Sequence, residues 1–156
     1  GNCHQGLLSG EHNVGGPFEH PSGSTSLLSS EMVATYNSYI NSGDNSGTVD
    51  SAYLQFVPFE RGIADVTLLD PTSTRGPVGN ANVSCLTCHR AHASAFLYAG
   101  RWDFSAAQLV DSHPAVGDGG ATATDVANSY YGRDIAVAFG ATQGPFCEKC
   151  HAGSPP

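Results

Sequence analysis

The sequence predicts a mostly irregular, loop-rich fold with a few short α-helices and minimal β-structure, a chain whose order must come from something beyond its own backbone pairing. Three observations carry that expectation. The 156 residues include 19 Gly and 9 Pro but only 13% charged residues, a composition dense in turn-formers. Apolar residues occur in short runs that Pro, Gly or Asn soon closes, so no stretch sustains a long helix or strand. One five-residue pattern also occurs twice, as Cys85-Leu86-Thr87-Cys88-His89 and as Cys147-Glu148-Lys149-Cys150-His151.

Cys-x-x-Cys-His is the attachment signature of c-type haem. Two thiols must reach the two vinyl groups of one porphyrin while the adjoining imidazole comes beneath the iron. Cys85, Cys88, Cys147 and Cys150 are therefore expected to hold two haems c, with His89 and His151 as axial ligands. A redox disulfide would need a βαβ setting, and a four-cysteine zinc site does not place His directly after each pair. The remaining cysteine, Cys3, precedes His4, which is what the end of the same motif leaves if another cysteine stood just before Gly1. A third haem on Cys3 and His4 is the functional reading, and a chance Cys-His pair near a frayed terminus is the plain one. A lipid anchor on Cys3 is disfavoured, since such a cysteine would normally be the first mature residue.

The length suits one domain over residues 1–156, or a fragment lacking an amino-terminal haem segment. Its protein core should be thin. A porphyrin buried between loops would supply the missing apolar mass, so the chain should not fold without its haems. The formal charge of -8 disfavours nucleic acid and an anionic membrane surface as partners and favours cationic carriers or mineral surfaces. Nothing resembles a transmembrane span, and Gly1-Asn2-Cys3 is no signal peptide, so the chain reads as a mature product or as one that begins after upstream material.

From Gly10 to Ser26 the sequence reads as loop. His12 and His20 stand in it, and Pro21 stiffens the approach of the His20 ring. Ser29 and Ser30 then precede a helix through Ile40, with Met32, Val33, Tyr36 and Ile40 on one face. The Asp44 to Asp50 stretch superficially suggests a calcium loop, but its spacing fails the EF-hand pattern and a polar turn is expected. Tyr53–Val57 and Ile63–Leu69 have strand-like composition, to pair as a small hairpin or to cover a porphyrin face. Residues 72–82 form a loop into the first motif, and the Asn82-Val83-Ser84 sequon is discounted as a cheap match.

His92 lies three residues beyond His89, better placed to ligate a neighbouring haem than to cross its own. The aromatic-rich run from Ala95 to Val110 is expected to wall a haem pocket. His113-Pro114 repeats the His20-Pro21 dipeptide. After the glycines at 117–120, Thr124 or Asp125 should cap a helix through Val126 and Tyr130, broken at Gly132 and resuming from Asp134 to Phe139.

Seven histidines against a single methionine favour bis-histidine ligation, because Met32 sits on an apolar helical face where packing explains it. With His4, His89 and His151 proximal, four histidines remain for three distal positions: His12, His20, His92 and His113. The surplus one, His12, is either solvated or a ligand to a haem attached elsewhere, upstream or in an adjoining subunit.

On Cys85 to His92, His20-Pro21, His113-Pro114 and Phe146 to His151, the chain resembles the multihaem c-type cytochromes, and among them the outer-surface, filament-forming cytochromes of metal-reducing bacteria. The resemblance implies a protein organised around stacked haems, exported because covalent haem c is assembled outside the bacterial cytoplasm, and placed at the outer cell surface or in the periplasm. It implies single-electron transfer, with other cytochromes, copies of itself and extracellular metal or mineral as partners. Such filament subunits usually carry at least four haems, more than the two complete motifs and one partial motif here. A soluble periplasmic shuttle is the alternative within the class. A haem enzyme such as a peroxidase or reductase would need an iron with an open sixth position beside acid–base residues, and no such cluster stands out.

Overall fold

A computed structural model describes residues 27–41, 43–91, 94–112 and 115–140, together with residues 147 and 149. Within them the architecture is loop-rich, with four short α-helices, single 3₁₀ turns, and isolated β-bridges in place of any sheet. No helix among the described residues is long and apolar enough to cross a membrane.

The first helix, α1, spans Ser30–Ser38 and starts where the sequence suggests, with the Ser29 hydroxyl accepting the Met32 N–H at 3.1 Å. It ends sooner than expected. Tyr39 is already extended at φ -76° and ψ 122°, so Ile40, expected on the buried face, is exposed and Tyr39 is buried in its place. The polar stretch that follows is a turn: Asp44 accepts from both the N–H and the hydroxyl of Ser46, at 3.0 and 2.7 Å.

Neither strand-like run forms a strand. Leu54 to Val57 is a turn closed by Val57 N–H to Leu54 O at 3.0 Å, and it drops Leu54, Phe56 and Val57 into the core. The hydroxyl of Tyr36 replaces a strand partner, accepting the Leu54 N–H at 3.1 Å and donating to Val57 O at 2.8 Å. Val66–Leu68 is a 3₁₀ turn capped by Asp65, with Val66 and Leu68 exposed. Here local side-chain capping outcompetes the β propensity of a short run. Asn82 ties this region together. Its backbone exchanges hydrogen bonds with Glu60 at 2.8 and 2.9 Å, and its buried amide donates to the Glu60 carboxylate, which takes the sequon out of solvent.

The second helix, α2, is one turn over Cys85–Cys88. The third, α3, spans Ala123–Ser129 and is capped by Thr122, two residues before the expected Thr124. Asp125 makes the return half of that capping box, holding the Thr122 N–H at 2.9 Å. The expected break at Gly132 is present at φ 76°, and α4 follows over Ile135–Phe139, capped by Asp134.

The core comprises Tyr36, Tyr39, Leu54, Phe56, Val57, Leu109, Tyr130, Ile135 and Phe139. Phe56 is at its centre, stacked on Tyr130 at 5.0 Å and on Trp102 at 6.1 Å, with Phe139 tilted against it at 6.3 Å.

Candidate haem-attachment sites

The first motif occupies α2, whose three-residue spacing brings Cys85 and Cys88 onto neighbouring faces of one turn. The turn is entered through Ser84, whose N–H donates to the Thr87 hydroxyl at 3.0 Å, and Thr87 is buried. His89 is the C-cap, its N–H bound to Cys85 O at 2.8 Å. Burial pushes the Cys88 thiol up from its ordinary value, with Cys85 adding to the rise and the Arg101 guanidinium opposing it.

The loop 97–101 closes over His89 as a clasp. Arg90 N–H donates to Ala99 O at 2.7 Å on one side of the histidine, and Arg101 N–H donates to Cys88 O at 2.8 Å on the other. Between them the His89 Nδ1–H donates to Tyr98 O at 2.7 Å. That contact selects the tautomer whose lone pair is on Nε2, the arrangement found when a backbone carbonyl orients a metal-ligating imidazole. Tyr98 and Ala99 carry positive φ of 59° and 55°, so the clasp stores backbone strain at the position that fixes the ring. Gly100 is required there, because a Cβ would come within 2.6 Å of Trp102 O. Ser94 completes the closure by donating its hydroxyl to Gly100 O.

The aromatic run divides between inward and outward positions. Phe104 meets the His89 ring edge-on at 5.4 Å, and Trp102 meets Phe104 at 6.0 Å, while Leu97 and Tyr98 project their side chains outward. The contacts continue inward from Trp102 to Phe56, Phe139 and Tyr39, the last pair at 6.4 Å. An unbroken series of rings thus leads from the first motif to the second.

At the second motif, Cys147 and Lys149 are described. Lys149 is 1% exposed, and its Nζ donates to Tyr36 O at 2.7 Å and Tyr39 O at 2.9 Å, carbonyls at the end of α1. It also sits 4.1 Å from the Tyr36 ring centroid and 5.0 Å from that of Tyr39. The Tyr39 hydroxyl is buried without a hydrogen-bond partner among the described residues, and burial followed by the Cys147 sulfur pushes it up to about 12. An orphaned hydroxyl beside the first cysteine of this motif, and an oriented imidazole at the other, both fit a bound porphyrin.

Cys3, His4, His12, His20, His92, His113, Cys150 and His151 lie outside the described residues. Sequence reasoning missed the Tyr98 carbonyl, Arg101 and Lys149. The first acts through its backbone and leaves no residue-type signal. A charged residue between the two motif cysteines was a signal for the last.

No family profile matches the chain. It is 36% identical to C-type cytochrome OmcS of Geobacter sulfurreducens over 97% of its own length. The chain is a homologue of a c-type cytochrome. It spans 38% of that relative's length. Two solved structures agree. The outer membrane cytochrome S filament from the same organism matches at a TM-score of 0.66 and 31% identity, over 98% of this chain and 41% of the other. The OmcS nanowires seen by electron cryo-microscopy match at 0.62 and 32%, over 91% and 39%. The expected likeness to filament-forming c-type cytochromes therefore holds for sequence and fold alike.

Proposed function

We propose that this chain is an electron-transfer unit, one domain over residues 1–156, in which covalent haems c pass single electrons along a filament of cytochrome subunits at the outer cell surface. The observation that carries the reading is the His89 ring, held by Tyr98 O in the tautomer an iron ligand requires, directly after two cysteines on one helical turn. Bound haem would supply the reversible one-electron couple, and the polypeptide its axial ligands, spacing and exposure. Cys85, Cys88, Cys147 and Cys150 would hold two haems, and Cys3 with His4 a third. His89, His151 and His4 would be proximal ligands, with His20, His92 and His113 distal and His12 reaching a haem of a neighbouring subunit. With both axial positions filled, no iron would offer a substrate an entry site, so the protein would transform none. Its partners would be copies of itself, other cytochromes, and extracellular metal or mineral acceptors drawn to its negative surface.

Intact mass of the matured protein counts the haems, and its resting spectrum should be entirely low-spin. High-spin iron that binds added cyanide or peroxide would refute bis-histidine ligation. Electron microscopy of the native material should show filaments, and persistent monomer at high concentration would favour the soluble shuttle.

A further inference from the structure

Only six residues of the chain carry a positive side chain, and one of them, Arg101, is buried at 9% exposure against the first motif. Its Nε donates to Leu86 O at 2.5 Å, inside the Cys-x-x-Cys turn, and its backbone N–H holds Cys88 O. Its other described contact is neutral, the Tyr131 hydroxyl at 3.3 Å, and no carboxylate among the described residues pairs with it. Tyr131 itself has a positive φ of 56°. The only ion pair among the described residues, Arg75 with Asp50, lies on the surface. A guanidinium keeps its charge at any working pH, and away from water that charge acts at long reach.

We propose that Arg101 sets the reduction potential of the haem held by Cys85, Cys88 and His89, its buried positive charge making that iron easier to reduce than an iron of the same ligation without one. The proposal rests on haem attachment at this motif. Ferric haem carries one more positive charge than ferrous haem, so a fixed cation beside the turn disfavours the oxidised form and raises the potential. The backbone N–H of Arg101 on Cys88 O and its Nε on Leu86 O place that charge directly against the turn that carries both cysteines. Its hydrogen bond to Leu86 O fixes where the charge sits.

The test is a spectroelectrochemical titration of the matured holoprotein and its variants. Arg101→Gln keeps a donor near Leu86 O but removes the charge. In it, one haem component should show a ferrous-to-ferric ratio about tenfold lower at a fixed applied potential, a fall of about 59 mV for a one-electron couple. Arg101→Lys keeps the charge and should restore the ratio to within about threefold, whereas Arg133→Gln, which removes an exposed cation, should move it less than twofold. An unmoved Arg101→Gln, or equal shifts in the Gln and Lys variants, would overturn the proposal. If Arg101→Gln does not mature, Tyr131→Glu tests the same charge by bringing a carboxylate to an intact Arg101. The same downward shift supports the proposal, and no shift overturns it. The Cys85→Ala/Cys88→Ala double variant separates the two levels: it should lose one haem by mass, together with the component that Arg101 moves. An unchanged mass refutes attachment at this motif, and the proposal with it.

Discussion

Replacing Lys149 by Met tests whether the second motif is bolted to α1 through its side chain. Met nearly matches the aliphatic volume of Lys and removes the cost of burying an ammonium, so any loss of stability reports the interactions alone. Two charge-assisted hydrogen bonds, at 2.7 and 2.9 Å, disappear. They leave the Tyr36 and Tyr39 carbonyls at a buried helix end without that donor, at about 1–3 kcal/mol each. The cation–π attraction to the Tyr36 and Tyr39 rings is lost as well, and when desolvated it contributes up to about 2 kcal/mol. Recovered ammonium desolvation offsets part of this, and a net loss of about 3 kcal/mol is expected, roughly two orders of magnitude in the unfolding equilibrium. Guanidinium unfolding of the holoprotein, followed by far-ultraviolet circular dichroism, measures it. A Met variant within about 0.5 kcal/mol of the parent, the ordinary range for an inconsequential surface change, would refute the reasoning.

Three further outcomes are expected. Tyr36→Phe should cost about 2–4 kcal/mol in the same assay, because Leu54 N–H and Val57 O both lose a buried partner. Gly62→Ala should cost at least about 1 kcal/mol, since φ is +66° and a Cβ would fall 2.0 Å from Asn80 O; a neutral result would mean that this turn relaxes freely. Asp44, Asp65, Asp70 and Asp103 are each held below the usual carboxylate range, first by the hydroxyl of Ser46, Thr67, Thr72 or Ser105. A depressed folded value stabilises the fold above the unfolded value near 3.9, and that contribution is lost as pH falls through the folded values. The unfolding midpoint should therefore drop as pH falls below about 4, and replacing these four aspartates by Asn should flatten that drop.

The legible parts of the fold were those written in local chemistry. Ser29 before α1, Gly132 between α3 and α4, and the Asp44 turn all follow from one residue acting on its nearest backbone. The strand-like runs misled because β propensity in a short segment reports a fit to a half-buried surface, and Phe56 found that surface among Tyr130 and Trp102 with no strand partner. The first Cys-x-x-Cys-His motif was legible as a pattern, since cysteine spacing and histidine position are properties of sequence, and the structure gives it as one helical turn ending in His89. The clasp that orients His89 was not, because it uses the carbonyls of Tyr98 and Ala99, which any residue would supply. Thr122, not Thr124, caps α3 because its hydroxyl and the Asp125 carboxylate satisfy each other's backbone N–H three residues apart.

The reach from Lys149 back to α1 spans 113 and 110 residues to its two acceptors. Closing a loop that long costs about 4 kcal/mol in chain entropy, and these two hydrogen bonds form only once the second motif has been synthesised. Polypeptides emerge from the amino end, so the Tyr36 and Tyr39 carbonyls meet the Lys149 ammonium only after everything between has been made. The second Cys-x-x-Cys-His segment is thus also a latch, joining two stretches of chain that are made far apart in time.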